Sequence, residues 1–194
     1  KCDYEVTLIE KCSELYNIMN GFRMPWAIAG GWSIDLYLGE VTRDHSDIEI
    51  AILRDHQLAI REYLTGWDFK KVQGGKIITW SENEVLELPI HETYAEKVSE
   101  KIEILLNESD NDWWIYRRDS RIQREMKKTI LITANGIPYL SPEITLLFKS
   151  KNSELKDEMD FENIVNFLND EQKAWLQTSL KVVYNDHPWI KSLN

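Results

Sequence analysis

The chain has 194 residues, 43% of them hydrophobic and 8 of them Trp, which is ample for one core-bearing domain with room for a helical annex. A formal charge of -10, a pI near 4.9, and no basic cluster denser than Arg117-Arg118 or Lys127-Lys128 exclude a chain that tracks a nucleic-acid backbone; such an acidic field would draw in a cationic partner instead. There is no apolar run of about 18 residues and no signal-peptide pattern, so the expectation is a cytoplasmic protein that does not enter a membrane.

Residues 5 to 20 place Leu8, Ile9, Cys12, Leu15, Tyr16 and Met19 at helical spacing, an amphipathic helix that Gly21 stops. Cys2 and Cys12 have no metal-type spacing, and Cys12 on the apolar stripe reads as a small buried thiol. Trp26 to Ala29 suit a short buried extended segment, and Gly30-Gly31 follow where the chain must turn sharply into a helix over Trp32 to Leu38, capped by Gly39. Backbone N–H groups at a helix start bare of side chains can approach a phosphate, and Ser33 can add a hydroxyl. After the polar loop Thr42-Arg43-Asp44-His45, the run Asp47 to Ile52 has a period of two, sending Ile48, Ile50 and Ile52 one way and Asp47, Glu49 and Ala51 the other. The two acidic Cα atoms then stand roughly 6 to 7 Å apart, close enough for the carboxylates to converge on one or two magnesium ions. Without a cation they would repel, and one would tend to stay protonated. Either motif alone reads as a solvated strand or a glycine-led helix; together, at this separation, they match a phosphate cradle beside metal ligands.

GGWSIDLYLG followed by TRDHSDIEI resembles the signature of the nucleotidyltransferase superfamily, in particular its small antibiotic-modifying branch, the aminoglycoside 2''-adenylyltransferase-like and lincosamide nucleotidyltransferase-like proteins. The resemblance is strongest over residues 25 to 52 and continues more weakly through Trp113-Arg118 and Gly136 to Phe161. It implies a mixed sheet with flanking helices, Gly30 and Gly31 at a triphosphate, and Asp47 and Glu49 as metal ligands. The TR-x-H pattern brings Arg43 toward phosphate oxygens, with a solvated loop arginine as the competing reading. His45 has no second ligand-type residue at metal spacing and reads as a hydrogen-bonding loop histidine.

Further along, Arg54 to Leu64 reads as a surface helix, and Trp67-Asp68-Phe69 and Lys76 to Trp80 read as strands joined by a Gly74-Gly75 hairpin turn. Glu82, Glu84 and Glu87 read as an acidic solvated edge or as part of a pocket for a cationic acceptor. Lys101 to Leu106 again alternates, with Ile102, Ile104 and Leu106 opposite Lys101, Glu103 and Leu105. Beside the first motif, Glu103 would supply a third carboxylate that binds metal or takes a hydroxyl proton; the alternative is a solvated strand residue. In the resembled family an acid, usually Asp, occupies this place. Asn107 to Asn111 reads as a polar turn, and Trp113 to Tyr116 as extended, with Trp114 in packing. Strands over Lys128 to Thr133 and Ile137 to Leu140 follow. The rest is helical, opened by Ser141-Pro142-Glu143 with a capping hydroxyl and later capped by Asp170. Lys149 lies in a stretch resembling the family's C-terminal pattern and is a candidate for neutralising triphosphate charge, against a helix-surface lysine.

The expectation is therefore an α/β (α+β) nucleotidyltransferase-like mixed sheet with flanking helices, residues 1–140 forming the catalytic domain and 141–194 a C-terminal helical subdomain. Its reaction would be Mg2+-dependent transfer of a nucleoside monophosphate, AMP from ATP, to a hydroxyl of a small and cationic acceptor such as an aminoglycoside- or lincosamide-like antibiotic, by a monomer or homodimer. Asp47, Glu49 and Glu103 are the expected catalytic and metal residues; Gly30, Gly31, Ser33, Arg43 and Lys149 are the expected nucleotide contacts. Glu49 and Glu103, at positions more often Asp, keep open a nucleotide-binding relative that performs no transfer.

Overall fold

The computed structural model describes residues 2–194, with side chains described from residue 10 onward, so the expectations for Cys2, Leu8 and Ile9 lie outside the described residues. The chain forms an α+β fold built on a mixed sheet. Its helices are α1 (Cys2–Met19), α2 (Gly30–Leu38), α3 (Gln57–Tyr63), α4 (Pro142–Lys149), α5 (Leu155–Ile164) and α6 (Asp170–Val183). Its strands are β1 (Trp26–Ile28), β2 (Glu49–Leu53), β3 (Asp68–Gln73), β4 (Lys76–Thr79), β5 (Glu92–Lys97), β6 (Glu100–Asp110), β7 (Trp113–Ile115), β8 (Gln123–Glu125), β9 (Ile130–Ile132) and β10 (Pro138–Leu140). The main strand order is β4-β3-β5-β6-β2-β1-β10-β9, and β7 and β8 continue from β6. The pairs β2–β6 and β1–β10 are parallel, and the remaining pairs are antiparallel.

The period-two patterns divide the sheet as their residues dictate. Ile28, Ile50, Ile52, Ile102, Ile104 and Leu106 pack on one face against Cys12, Leu15 and Met19 of α1 and Ile60 of α3. Burial pushes the Cys12 thiol up to about 12, which makes it a packing group rather than a nucleophile. Ala27, Ala29 and Ala51 face the other way, among Ile34, Ile144, Leu147, Phe161, Ile164, Leu176 and Leu180 from α2, α4, α5 and α6. Small residues on this second face let the helices approach closely at one end and leave a cleft at the other. Among the described residues no helix is long and apolar enough to cross a membrane.

The fold departs from the sequence reading in several places. Asn107 to Asp110 is not a turn: β6 runs on through it to pair with β7, and the reversal comes at Asn111, whose φ is 50°. The mainly polar segment Glu92–Lys97 is β5, with small Thr93 and Ala95 as its buried positions. Gln123–Glu125 is also a strand, β8, anchored by buried Arg124. Ser141 makes no capping bond, because its hydroxyl donates to the buried Glu143 carboxylate at 2.5 Å. Asn169, not Asp170, caps α6, in a capping box with Gln172.

Candidate active site

A cavity of about 460 Å³ opens on the second face of the sheet, between the β2 and β6 strands below and the start of the α4–α5 connection above. Gly30, Glu49, Leu105, His91, Arg117 and Lys149 are among the residues that line it.

Glu49 reaches the cavity from the sheet, and the other acids flank it. Parallel pairing sets Glu49 directly beside Glu103, so the two alternating motifs present carboxylates from neighbouring strands to the same side. Antiparallel pairing of β5 brings Tyr94 opposite Glu103 and Glu92 opposite Leu105, adding a fourth acid that sequence reading passed over with its strand. Asp47 precedes β2, is exposed, and lines a separate groove with Trp32 and Lys101, its carbonyl accepting from the Trp32 indole at 3.1 Å. Among the described residues neither Glu49 nor Glu103 has a hydrogen-bond or ion-pair partner. Burial raises Glu49 above the usual carboxylate range, with Asp47 adding to the effect against the pull of Lys149. Burial also pushes Glu103 up to about 8, reinforced by Glu49, Glu92 and Asp47. The Tyr94 hydroxyl donates to Glu92 at 2.5 Å.

The glycine turn abuts Glu49. Gly30 adopts φ +61°, and a Cβ there would lie 2.4 Å from Glu49 Oε2, so glycine is what lets the backbone touch the carboxylate. Gly31 serves a different neighbour. Its missing Cβ makes room for the His45 ring at 2.4 Å and the Arg43 guanidinium at 2.5 Å. The Thr42–His45 loop is thus packed on the turn and tied down around it. Buried Asp35 accepts from the Thr42 hydroxyl at 2.6 Å and contacts His45 Nε2 at 2.5 Å, while the His45 ring lies 4.6 Å from Trp32. Arg43 donates to both oxygens of buried Asp160 on α5, at 2.7 and 2.9 Å. Asp35 and Asp160 are the partners that sequence reading missed.

The expected nucleotide contacts therefore separate. Gly30 and Lys149 line the cavity. Ser33 is fully buried, its hydroxyl donating to the Gly30 carbonyl and shared with Thr145, each at 2.7 Å; it braces the turn from behind instead of facing the cavity. Arg43 is turned toward Asp160 by the bidentate pair, and Gly31 is covered by the loop. His45 matches the hydrogen-bonding role read from sequence. Lys149 donates to Asp157 at 2.8 Å and stands 2.9 Å from Asp160; burial opposes its charge, but the two aspartates outweigh it and hold the ammonium above its ordinary pKa. Glu84 pairs with Lys71, and Glu87 lies with it along a neighbouring groove.

A divalent cation suits these acids chemically: two half-buried carboxylates without hydrogen-bond partners, each raised by burial and then by neighbouring acids, would be relieved by a positive charge between them. Among the described residues no three His, Cys, Asp or Glu side chains already stand in metal-holding geometry, so the expected convergence of Asp47, Glu49 and Glu103 is not present in this arrangement.

The profile of the family described as aminoglycoside-2''-adenylyltransferase matches residues 11–164. A comparison with curated protein sequences gave no match. Among solved structures, the antibiotic-resistance factor ANT(2'')-Ia is 17% identical over 93% of both chains, with a TM-score of 0.57. The lincomycin-bound lincosamide antibiotic adenylyltransferase LnuA is 18% identical over 81% of this chain and 94% of its own, with a TM-score of 0.52. An antigenic nucleotidyltransferase-like protein from Paracoccidioides brasiliensis is 17% identical over 96% of this chain and 91% of its own, with a TM-score of 0.51. At such identities the structural likeness is one of fold.

Proposed function

The chain belongs to the aminoglycoside-2''-adenylyltransferase family, and from that premise we propose that it transfers AMP from ATP to a hydroxyl of a small cationic molecule of the aminoglycoside or lincosamide kind. The observation that carries the reading is the pair Glu49 and Glu103, side by side on parallel strands with neither carboxylate hydrogen-bonded, Glu49 lining the cavity against the Gly30 turn. Asp47, Glu49 and Glu103 would hold magnesium, which supplies neutralisation of the triphosphate and of charge developing on it. Gly30 lets the backbone approach the phosphates, and Lys149, kept cationic by Asp157 and Asp160, faces them from the opposite wall. Gly31, Ser33, Arg43 and His45 fix the shape of the turn.

In the transfer itself the acceptor oxygen forms a bond to the α-phosphorus, the bond from that phosphorus to the α,β-bridging oxygen breaks, and pyrophosphate leaves. Where Glu103 is not itself a metal ligand it takes the hydroxyl proton, its half-buried, acid-crowded setting making it a better proton acceptor than an ordinary carboxylate once ionised. Glu92, Asp47 and the net charge of -10 favour a positively charged acceptor on this side. Positioning and charge complementarity do most of the work. A panel of nucleoside triphosphates incubated with aminoglycosides, lincosamides and simple amino alcohols, scored by mass spectrometry and pyrophosphate release, tests the proposal. A product heavier by one nucleoside monophosphate is the expected result. Nucleotide binding with no release across the panel would leave a fold that holds nucleotide without turnover.

A further inference from the structure

The end of the cavity away from Glu49 has an unused pair of groups. Arg117 is half-buried there and, among the described residues, has no hydrogen-bond or ion-pair partner. Burial and the neighbouring Arg118 lower it to about 10, and the Phe148 ring lies 5.5 Å from its guanidinium. A guanidinium has five donors and no acceptor, so this one is left facing a cavity with nothing to receive its N–H groups. His91 lines the same end. Its Nδ1 lies 2.8 Å from the Pro89 carbonyl, which can accept but not donate, so the proton sits on Nδ1 and Nε2 keeps its lone pair. Burial, with Arg117 and Arg118 nearby, holds the ring below the ordinary imidazole value and hence neutral. One donor without an acceptor and one acceptor without a donor thus share one wall.

Their distance from the acids fits one ligand. Glu103 lies beside Glu49, and His91 meets β6 at Leu106, whose N–H donates to its carbonyl at 2.8 Å. Three strand residues, about 10 Å, separate the two levels, the reach of a nucleoside from its α-phosphate to its base. Adenine presents an amino donor at N6 beside an acceptor at N7, whereas guanine presents acceptors at both O6 and N7. Resting on the nucleotidyl-transfer reading above, we propose that this end is an adenine subsite, in which His91 Nε2 accepts from the N6 amino group and Arg117 donates to N7. The Phe148 ring backs the guanidinium. A purine carrying oxygen at position 6 would set one lone pair against another at His91, and a cationic acceptor is repelled from this end by Arg117 and Arg118.

Binding of ATP, inosine triphosphate and inorganic tripolyphosphate to the wild-type chain, His91→Ala and Arg117→Ala, by calorimetry with magnesium, tests the assignment. The wild type should prefer ATP over inosine triphosphate by about tenfold or more, and His91→Ala should bring that ratio close to one. Arg117→Ala should weaken both nucleotides by about tenfold while tripolyphosphate, which has no base, stays within about twofold. A preference that survives His91→Ala, or tripolyphosphate weakened together with ATP in Arg117→Ala, would overturn the subsite. Wild-type protein that holds tripolyphosphate but treats the two nucleotides alike would remove the base assignment alone. If it bound none of the three, the transfer reading would fall with it.

Discussion

The Thr42–His45 loop and the acid pair lie on either side of the Gly30-Gly31 turn, and they settle their charges in opposite ways. In the loop every charged or polar group that reaches inward finds a counterpart: Thr42 and His45 on Asp35, Arg43 on Asp160. Beside the turn Glu49 and Glu103 are half-buried, and among the described residues neither carboxylate has a hydrogen-bond or ion-pair partner, Lys149 acting on Glu49 only at longer range. A carboxylate drawn partly out of water without a partner is costly to the fold, and on the proposed reading a cation brings the missing charge. On that reading the loop is scaffold and the acids carry the chemistry.

The strongest way to break that contrast is at the acids. Glu49→Gln should reduce kcat by about 100- to 1000-fold, the scale of charge stabilisation lost with a metal ligand, while the thermal midpoint holds or rises because a repelling charge has gone. Unchanged turnover in a steady-state assay would remove Glu49 from the chemistry. Next in size is the scaffold. Asp160→Ala leaves Arg43 and Lys149 without their shared carboxylate and should cost about 3–5 kcal/mol in urea unfolding, the range for a broken buried pair. A loss below about 1 kcal/mol, as for an exposed pair, would show that the loop is held by other means.

Gly31→Ala sharpens the contrast from the other direction. The new Cβ would meet the His45 ring at 2.4 Å, and the loop must shift at a cost of about 1–3 kcal/mol. Magnesium affinity, measured by calorimetry, should change little, since the acid pair lies on the far side of the turn. The smallest expected effect is in pH. Because Glu103 in the folded chain is raised to about 8 from its ordinary value of 4.5, the fold without metal is favoured by its protonated form. Its contribution is fully present below pH 4.5 and is lost as pH rises toward 8. Melting without magnesium should therefore show a midpoint that falls across that window, and Glu103→Gln should flatten the decline. Magnesium affinity should rise over the same range as the competing proton leaves.

Much of this was legible in the sequence because it depends on periodicity. The alternation in Glu49–Ile52 and in Lys101–Leu106 told which residues face the isoleucine core and which face the other way, and a glycine pair before an apolar helix marked the turn; Asp47, read as part of the same strand, lies ahead of it. Side-chain pairing across long separations was not legible. Arg43 and Asp160 are 117 residues apart, and nothing local in either segment says that one carboxylate claims that guanidinium. Ser33 looked outward because of its place near a helix start, yet helix rotation turns it onto Thr145. β5 was hidden because its buried positions are Thr93 and Ala95, too small and too polar to read as an apolar stripe; with it went Glu92 and Tyr94.

The side-by-side placement of Glu49 and Glu103 constrains how this chain can vary. Between them lie a helix and three strands whose loops can lengthen or shrink at the surface. Within β6, however, gain or loss of a single residue ahead of Glu103 would reverse the parity of the strand, driving the acid into the isoleucine layer and an isoleucine into the cleft. A pair of residues would leave the facing intact but displace the acid by two positions along its neighbour. Viable drift in this region is therefore expected at the hairpin tips, with the count of residues inside β6 held fixed.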